Sequence, residues 1–251
     1  MIYKYYRDDS KCAIENFKSG QICFSHVDLF NDYLEFNAQF SNDVSLNGTL
    51  GDLTNYEIEM QKFGIRIACF SKKPNLDNMW GYYANNGKGF CLGYDEHDIE
   101  KISQSIQLKE VYYSDDPPTL GEGMSKSEIL IKQVTHKKAC WREEQEVRAI
   151  YSLNESDYYK FDLRLGCSDY GDMAKPIFND LIKISCPPIP LDKPSEQRIP
   201  FDWYAPRNFL IMLEPKVLII GKNCPEDTIM ILESIARLKN IMIKNVGGKI
   251  E

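Results

Sequence analysis

Short apolar runs recur along the chain, and most of them are rich in β-branched and aromatic residues. Runs of this kind that end in polar or turn-forming text are typical of strands in a buried sheet. Strands are predicted at Ile2–Tyr6, Gln21–Ser25, Ile65–Ser71, Gly89–Tyr94, Leu108–Tyr113, Glu146–Tyr151, Lys216–Ile220 and Asn240–Lys244. The predicted strands therefore extend from one end of the chain to the other.

Apolar residues three and four positions apart occur between several of these strands and predict helices. The stretch Asp8–Asp9–Ser10 can cap the first helix and Ser19–Gly20 can end it. Helices are predicted at Lys11–Lys18, Asn78–Ala84, Glu96–Gln104 and Ser125–Cys140, and again after Pro225. The last helix has residues spaced for one buried face: Ile229, Leu232, Ile235, Ala236 and Leu238.

The final strand, helix and strand form one unit that would join two parallel strands by a crossover. The strands elsewhere favour antiparallel pairing, so the predicted fold class is α+β, with mixed, mainly antiparallel sheets and flanking helices. We expect a single domain over residues 1–251, with a division into 1–151 and 152–251 as the alternative. Only Gly221 follows the strand of the C-terminal unit, and the glycine fingerprint of dinucleotide-binding folds is absent.

Composition narrows the class of protein. The net charge is −7, which argues against a general nucleic-acid binder. The 8 cysteines form no C-x-x-C pair, so neither disulfides nor a metal site is predicted. No apolar run approaches the roughly 20 residues of a membrane span, and no export signal is evident. We therefore expect a cytoplasmic protein that does not bind membranes.

The stretch Cys140–Tyr151 is dense in charge. In a strand over its second part, Glu144, Glu146 and Arg148 would share one face. Two carboxylates beside a guanidinium can act on a shared substrate and shift one another's pKa. The alternative is a solvated strand face with local ion pairs, which contribute little to stability. Spacing alone leaves both interpretations open.

Two other stretches combine aromatic and polar residues. Trp80 and Tyr83 share one face of the predicted short helix, either as core residues or as an aromatic wall that stacks on a flat ligand. The first strand places Lys4, Tyr5 and Arg7 together, which could hold a phosphate-bearing ligand or could form an exposed edge strand. The histidines are too far apart in sequence to suggest a ligand set.

Four motifs in order resemble the bacterial domain-of-unknown-function family DUF2971. They are Y-K-Y-x-R from Tyr3, F-S-H-V-D-L-F-N-D from Phe24, M-W-G-Y-Y-A-N-N-G-K-G-F-C-L-G-Y-D from Met79, and W-R-E-E-Q-E-V-R from Trp141. The second motif adds Ser25 and Asn31 to the candidate ligand contacts. The chain departs from the family pattern at Tyr33, and at Gly87, where a histidine is usual. The resemblance spans about residues 2–245.

More distantly, the order of elements over residues 1–151 resembles the ADP-ribosyltransferase fold, whose late motif is often Glu/Gln-x-Glu. This resemblance implies an enzyme that consumes NAD as a co-substrate, as a transferase or glycohydrolase, with a role in defence or toxicity. Glu146 would stabilise the ribose cation, Glu144 would act on the acceptor, and Arg148 would position Glu146. A nucleotide-binding sensor without catalysis and a metal-dependent nuclease or nucleotide hydrolase are the alternatives.

Overall fold

The computed structural model describes residues 1–30, 62–118, 124–153, 159–162, 181–184 and 201–245. Its helices are α1 Lys11–Ser19, α2 Asp77–Tyr82, α3 Glu96–Ile102, α4 Lys126–Val134 and α5 Glu226–Leu238. Two 3₁₀ helices join them, η1 Val27–Leu29 and η2 Ala139–Glu144. No helix within this described part is long and apolar enough to cross a membrane.

The strands occur along most of the described chain. They are β1 Ile2–Tyr6, β2 Gln21–Ser25, β3 Ile65–Ser71, β4 Phe90–Tyr94, β5 Ile106–Glu110, β6 Tyr112–Tyr113, β7 His136–Lys137, β8 Glu146–Ser152, β9 Tyr159–Asp162, β10 Leu181–Ile184, β11 Phe201–Pro206, β12 Asn208–Met212, β13 Val217–Ile220 and β14 Met242–Asn245. Except for the parallel pairs β6–β7 and β13–β14, the pairing between described strands is antiparallel. The predicted α+β class with mainly antiparallel sheets is confirmed.

The main sheet divides at β3. One edge of β3 pairs along its whole length with β8, from Ile65 opposite Ser152 to Ser71 opposite Glu146. Its other edge is shared, because Ile67 lies opposite Ser25 of β2 and Ser71 lies opposite Tyr3 of β1. Strands β2 and β1 therefore diverge from a common neighbour, and the sheet continues as β2–β12 on one side and β1–β4–β13–β14 on the other.

The first helix illustrates how local sequence sets an element boundary. The Ser10 side chain accepts a hydrogen bond from the Ala13 amide at the amino end. The helix ends at Gly20, whose φ of 70° lies in the left-handed region that glycine adopts without steric cost. Buried Phe17 packs on the sheet. This helix and the strand on each side of it agree with the sequence prediction.

The two faces of the sheet bury different sets of residues. The larger core packs α1, α3 and α5 against one face and includes Phe24, Phe70, Phe90 and Leu218. On the opposite face α4 packs against β3 and β8, and α2 packs against β1, β4 and β13. The parallel crossover β13–α5–β14 agrees with the prediction, although Leu238, expected on the buried face of its helix, is 83% exposed.

The predicted helix Ser125–Cys140 is wrong in its second half. Helix α4 begins with a capping box in which Ser125 and Glu128 bond each other's amides, and it ends at Val134. Residues 136–137 instead form β7, which pairs with β6. The chain leaves helical geometry because Tyr112 and Ser114 donate their amides to the carbonyls of Thr135 and Lys137. That pairing joins residues about 23 positions apart, which local spacing does not reveal.

Candidate functional site

A pocket of about 580 Å³ opens where β1 and β2 diverge from β3. These three strands form its floor, and residues from η1, α2, β7, η2 and β8 form its walls. The lining residues are Tyr3, Lys4, Tyr5, Ser25, Leu29, Phe30, Ile67, Cys69, Phe70, Met79, Tyr83, Lys137, Trp141, Glu144 and Glu146. The volume lies in the range typical of pockets for small ligands. A largely apolar lining with a few polar groups is also typical of such pockets.

Lys4 lies at the point of divergence. Cys69 of β3 is placed between the residues that pair with β2 and with β1, so neither strand covers it. The Lys4 ammonium donates a hydrogen bond of 3.2 Å to the Cys69 carbonyl. It also lies 5.8 Å from the centre of the Phe70 ring. The lysine thus places a positive charge at the floor of the pocket, where the backbone of β3 is open.

Tyr5 and Trp80 form a fixed aromatic pair. Their rings meet edge to face with centres 5.2 Å apart, a favourable arrangement for aromatic side chains. The Tyr5 hydroxyl donates to the Lys73 carbonyl at 2.8 Å, and the Trp80 indole donates to the Pro74 carbonyl at 2.8 Å. Tyr5 lines the pocket, whereas Trp80 lies behind it and supports it.

The two acids of the Glu-Gln-Glu stretch reach the pocket by a route that differs from the predicted strand. Glu144 ends η2, and Gln145 follows with a φ of 47°, in the left-handed region. Strand β8 begins only at Glu146. The Ser71 hydroxyl donates to the Glu144 carbonyl at 2.7 Å and fixes this turn against β3. The two carboxylates therefore come to one wall through a turn, and not through strand alternation.

Lys137 bridges the two carboxylates. Its Nζ lies 2.6 Å from Glu144 Oε2 and 3.1 Å from Glu146 Oε2. The same ammonium lies 5.2 Å from the centre of the Trp141 ring, within range of a cation–π interaction. All three charged groups are buried, with side-chain exposures of 6%, 2% and 6%. The charged network is therefore buried at the wall of the pocket.

Arg148 holds Glu146 from behind. Its Nε donates to Oε1 at 2.7 Å and its Nη2 donates to Oε2 at 3.1 Å, which makes a bidentate pair. The remaining Nη1 donates to the Val134 carbonyl at the end of α4. Arg148 is fully buried and does not line the pocket. Its contacts fix Glu146 and do not extend to the cavity.

The two carboxyl groups have opposite pKa shifts. Burial raises the pKa of Glu144, and the Lys137 ammonium only partly opposes the rise. Burial would also raise the pKa of Glu146, but Arg148, Lys137 and the Cys69 thiol together lower it to about 2. Two acids only two residues apart are thus distinguished by their cationic neighbours. A pair of carboxyls with divergent pKa values is common at functional sites.

Tyr83 completes the wall. Its hydroxyl donates to Glu144 Oε1 at 2.9 Å, and burial followed by the nearby Glu144 carboxylate raises the pKa of the phenol. On the far side of Glu146, the Tyr113 hydroxyl accepts a hydrogen bond of 2.8 Å from the Glu146 amide. Burial raises the pKa of Tyr113 to about 12. Both tyrosines are therefore protonated near neutral pH and serve as hydrogen-bonding groups.

The predicted site residues fall into three groups in the structure. Those that line the one pocket are Lys4, Tyr5, Ser25, Tyr83, Glu144 and Glu146. Trp80 and Arg148 lie directly behind that lining. Arg7 is exposed, forms an ion pair with Asp9 at 2.8 Å and does not line the pocket. The predicted ligand contact Asn31 lies outside the described residues, as does Tyr33, where the chain departs from the family pattern.

The alternative of a solvated charged face is wrong for this stretch. Glu144, Glu146 and Arg148 are 2%, 6% and 0% exposed. The proposed sharing of one strand face is also wrong for Glu144, which belongs to η2. The stretch is instead a buried ion network at a pocket wall, and burial on this scale requires pairing because an isolated buried charge is strongly destabilising.

Sequence analysis missed Lys137 and Cys69 as site residues. Lys137 falls in the second half of the predicted helix Ser125–Cys140, which is wrong, and it follows Thr135 and His136 in a polar stretch. Cys69 lies in the predicted strand Ile65–Ser71, and it lines the pocket. In the described part of the chain, no three His, Cys, Asp or Glu side chains are grouped to hold a metal ion.

The part of the chain that matches a known protein family contains most of the pocket wall. A family model described as a protein of unknown function, DUF2971, matches residues 79–149. The predicted resemblance to DUF2971 is confirmed over this stretch. The DUF2971 stretch contains Tyr83, Lys137, Glu144, Glu146 and Arg148, whereas strands β1 and β2 precede it. No curated protein and no solved structure matches the chain.

Proposed function

We propose that this protein is an NAD-consuming enzyme of the ADP-ribosyltransferase type, acting as a transferase or a glycohydrolase at the pocket between β1 and β2. The observation that supports the proposal is the composition of one pocket. Buried carboxylates, an aromatic wall and the Lys4 ammonium line the same 580 Å³ space. Each class of group matches one part of NAD, namely the ribose, the nicotinamide ring and the pyrophosphate.

The chemistry assigned to the site is cleavage of the bond between nicotinamide and ribose. As that bond lengthens, the electron pair leaves with nicotinamide and positive charge develops on the ribose. A carboxylate at the pocket wall stabilises that charge most effectively where water is excluded. Tyr5 and Tyr83 provide flat surfaces next to the carboxylates, and Lys4 balances the charge of a phosphate group. The ribose carbon then bonds to an acceptor oxygen or nitrogen, or to water, and the proton on that acceptor atom passes to a wall carboxylate or to solvent.

The direct test is release of nicotinamide from NAD by the purified protein, followed by chromatography. Glu144→Gln removes the ionisable group from the wall and is expected to lower the rate by about 100-fold or more. Glu143→Gln is the matched control, since Glu143 is the adjacent acid and is exposed. No release by the unaltered protein, with water or with added protein and nucleic-acid acceptors, would contradict the proposal.

One observation favours the nucleotide-binding sensor as a second candidate. Lys137 and Arg148 balance the charge of the two carboxylates through ion pairs within the protein. A preformed and charge-balanced wall suits tight binding with little rearrangement. Calorimetric binding of NAD or another nucleotide without turnover would support the sensor over the enzyme, if Lys4→Ala weakens it and Lys11→Ala, at an exposed residue of helix α1, leaves it unchanged.

The metal-dependent alternative has less support from the site geometry. The Lys137 ammonium lies between the two carboxylates, where a divalent cation would have to bind. Magnesium would therefore have to displace a lysine within about 3 Å of both ligands and overcome like-charge repulsion. A role in defence or toxicity stays a prediction that follows only from the resemblance.

A further inference from the structure

The two carboxylates at the pocket wall differ in how much hydrogen-bonding capacity remains. An ionised carboxylate has about four acceptor positions. Glu146 receives two hydrogen bonds from Arg148 and one from Lys137. These three bonds use most of its acceptor capacity. Glu146 therefore has less capacity left for a ligand, and Arg148 holds both of its oxygens.

Glu144 has acceptor positions to spare. Tyr83 donates to its Oε1 at 2.9 Å and Lys137 to its Oε2 at 2.6 Å. About half of its acceptor capacity thus remains on a carboxylate that lines the cavity. Glu144 is attached to η2 through a left-handed turn, and the Ser71 hydroxyl fixes its backbone. The carboxylate is therefore both held in place and available.

We propose that Glu144 is the carboxylate that contacts the substrate, and that Lys137 is a positioning residue which keeps Glu144 ionised and directed into the pocket. The pair Glu146–Arg148 fixes Lys137 and does not contact the substrate. This division of labour rests on the proposed function for the identity of the substrate. It reverses the roles that the Glu/Gln-x-Glu resemblance implies, in which Glu146 acts on the ribose.

The arrangement of charge supports this division. Lys137 is anchored at three points, by Glu146 Oε2, by Glu144 Oε2 and by the Trp141 ring. Arg148 fixes Glu146 by a bidentate pair, so the lysine has a rigid counter-charge on one side. The shorter of its two ion-pair distances, 2.6 Å, is to Glu144. The ammonium is thus placed to stabilise the ionised form of the available carboxylate.

Titration of Glu144 depends on the charged and titratable groups that face it. Those groups are Tyr83 after α2, Lys137 of β7, Glu146 of β8 and Tyr113 of β6. Burial raises the pKa of Glu144 and Lys137 lowers it, with a smaller upward contribution from Glu146. Removal of Lys137 should raise the pKa of Glu144 further, whereas removal of Glu146 should lower it slightly.

The test measures each carboxyl directly. Glutamate labelled with ¹³C at the carboxyl carbon is followed by NMR as a function of pH, with Glu144→Gln and Glu146→Gln used for assignment. In the unaltered protein we expect Glu144 to titrate above its ordinary pKa and Glu146 near 2. Lys137→Met should raise the Glu144 midpoint by about 1–3 pH units. The matched control is Lys138→Met, at the adjacent exposed lysine.

The activity arm uses nicotinamide release from NAD as a function of pH. Lys137→Met should shift the acidic limb of the rate profile upward by the same amount, with a smaller loss of rate well above that limb. Glu146→Gln should retain more activity than Glu144→Gln and should move the limb slightly downward. Lys137→Arg, which keeps a cation at this position, should restore the limb towards its original pH.

The outcomes separate this inference from the proposed function. If the unaltered protein releases no nicotinamide, the proposed function fails, and the NMR titration still decides the roles of the two acids. A Glu144 midpoint that is unchanged in a folded Lys137→Met protein overturns the inference. A midpoint for Glu146 above that of Glu144 in the unaltered protein also overturns it, and this measurement needs no variant that could fail to fold.

Discussion

Strand β8 presents two kinds of buried surface from neighbouring residues. Val147, Ala149 and Tyr151 face the large apolar core. Glu146 and Arg148 face the opposite side and carry the ion network of the pocket. Every residue of the strand except Ser152 is buried. Side chains along a strand can therefore alternate between apolar and charged while all of them are buried. A polar residue in a strand sequence does not by itself indicate exposure to solvent.

The two faces should respond differently to substitution, and the largest effect is expected at Arg148. Arg148→Met leaves the buried Glu146 carboxylate without its bidentate partner and should lower the free energy of unfolding by about 3–5 kcal/mol. Unfolding in urea measures the change. The double variant Arg148→Met with Glu146→Leu removes both charges and should recover most of the loss. A loss below about 1 kcal/mol in the single variant would contradict the importance of this pair.

Acid should destabilise the protein in two successive pH windows. Burial, with help from Arg66, lowers the pKa of His26 to about 4, from the usual 6.5. As pH falls from about 6.5 to 4, His26 becomes protonated in the unfolded chain but stays neutral in the folded protein. The free energy of unfolding therefore decreases by at most roughly 3 kcal/mol. The folded pKa of Glu146, about 2, places its own loss below about pH 4.5.

Variants separate the two windows by the slope of stability against pH. His26→Gln should flatten the slope between about pH 6.5 and 4.5, and Glu146→Gln should flatten it below that range. Thermal unfolding at a series of pH values provides the measurement. The interpretation of His26 as a buried uncharged residue is wrong if His26→Gln leaves the upper slope unchanged.

On the apolar face, the expected loss is smaller and independent of pH. Val147 is 4% exposed and lies next to Arg148 in the same strand. Val147→Ala removes two buried methyl groups and should lower the free energy of unfolding by about 2 kcal/mol. The NMR titration of Glu144 should be unchanged in this variant. A shifted Glu144 midpoint would show that the two faces are coupled and would weaken the comparison.

The smallest effect is expected at Tyr83. Tyr83→Phe removes one hydrogen bond to Glu144 and should lower the free energy of unfolding by about 1 kcal/mol. Tyr82→Phe is the matched control, because Tyr82 is the adjacent tyrosine and is 68% exposed. Equal effects of the two substitutions on stability would indicate that the Tyr83 hydroxyl has no role in the network.

Much of the fold could be predicted from local sequence. Strands β1, β2 and β3 agree with their predicted bounds because each is a short apolar run with clear turn residues at its ends. The crossover β13–α5–β14 was likewise readable, since Pro225 and the spaced apolar residues mark the helix. These elements depend on residues close in sequence, so they can be predicted without knowledge of tertiary contacts.

The site was less readable because it depends on contacts between distant residues. Lys137 continues the helical spacing of the buried residues of α4 in the sequence. In the structure its ammonium donates hydrogen bonds to acids seven and nine positions later. Gln145 adopts a left-handed conformation, which a glutamine in the sequence does not predict. Sequence order identified Tyr83, Glu144 and Glu146 as candidates, but it could not show which carboxylate keeps more of its acceptor capacity.

The divergence of β1 and β2 from β3 has a consequence for how ligand choice can change among related chains. The floor of the pocket comes from strands that also carry the core, so substitutions there affect folding. Its rim comes from short elements, with Leu29 on η1 and Trp141 on η2. Replacements at the rim can alter the shape of the opening while the sheet stays intact. Related chains that bind different ligands should therefore keep the residues of the floor and differ in the residues of the rim.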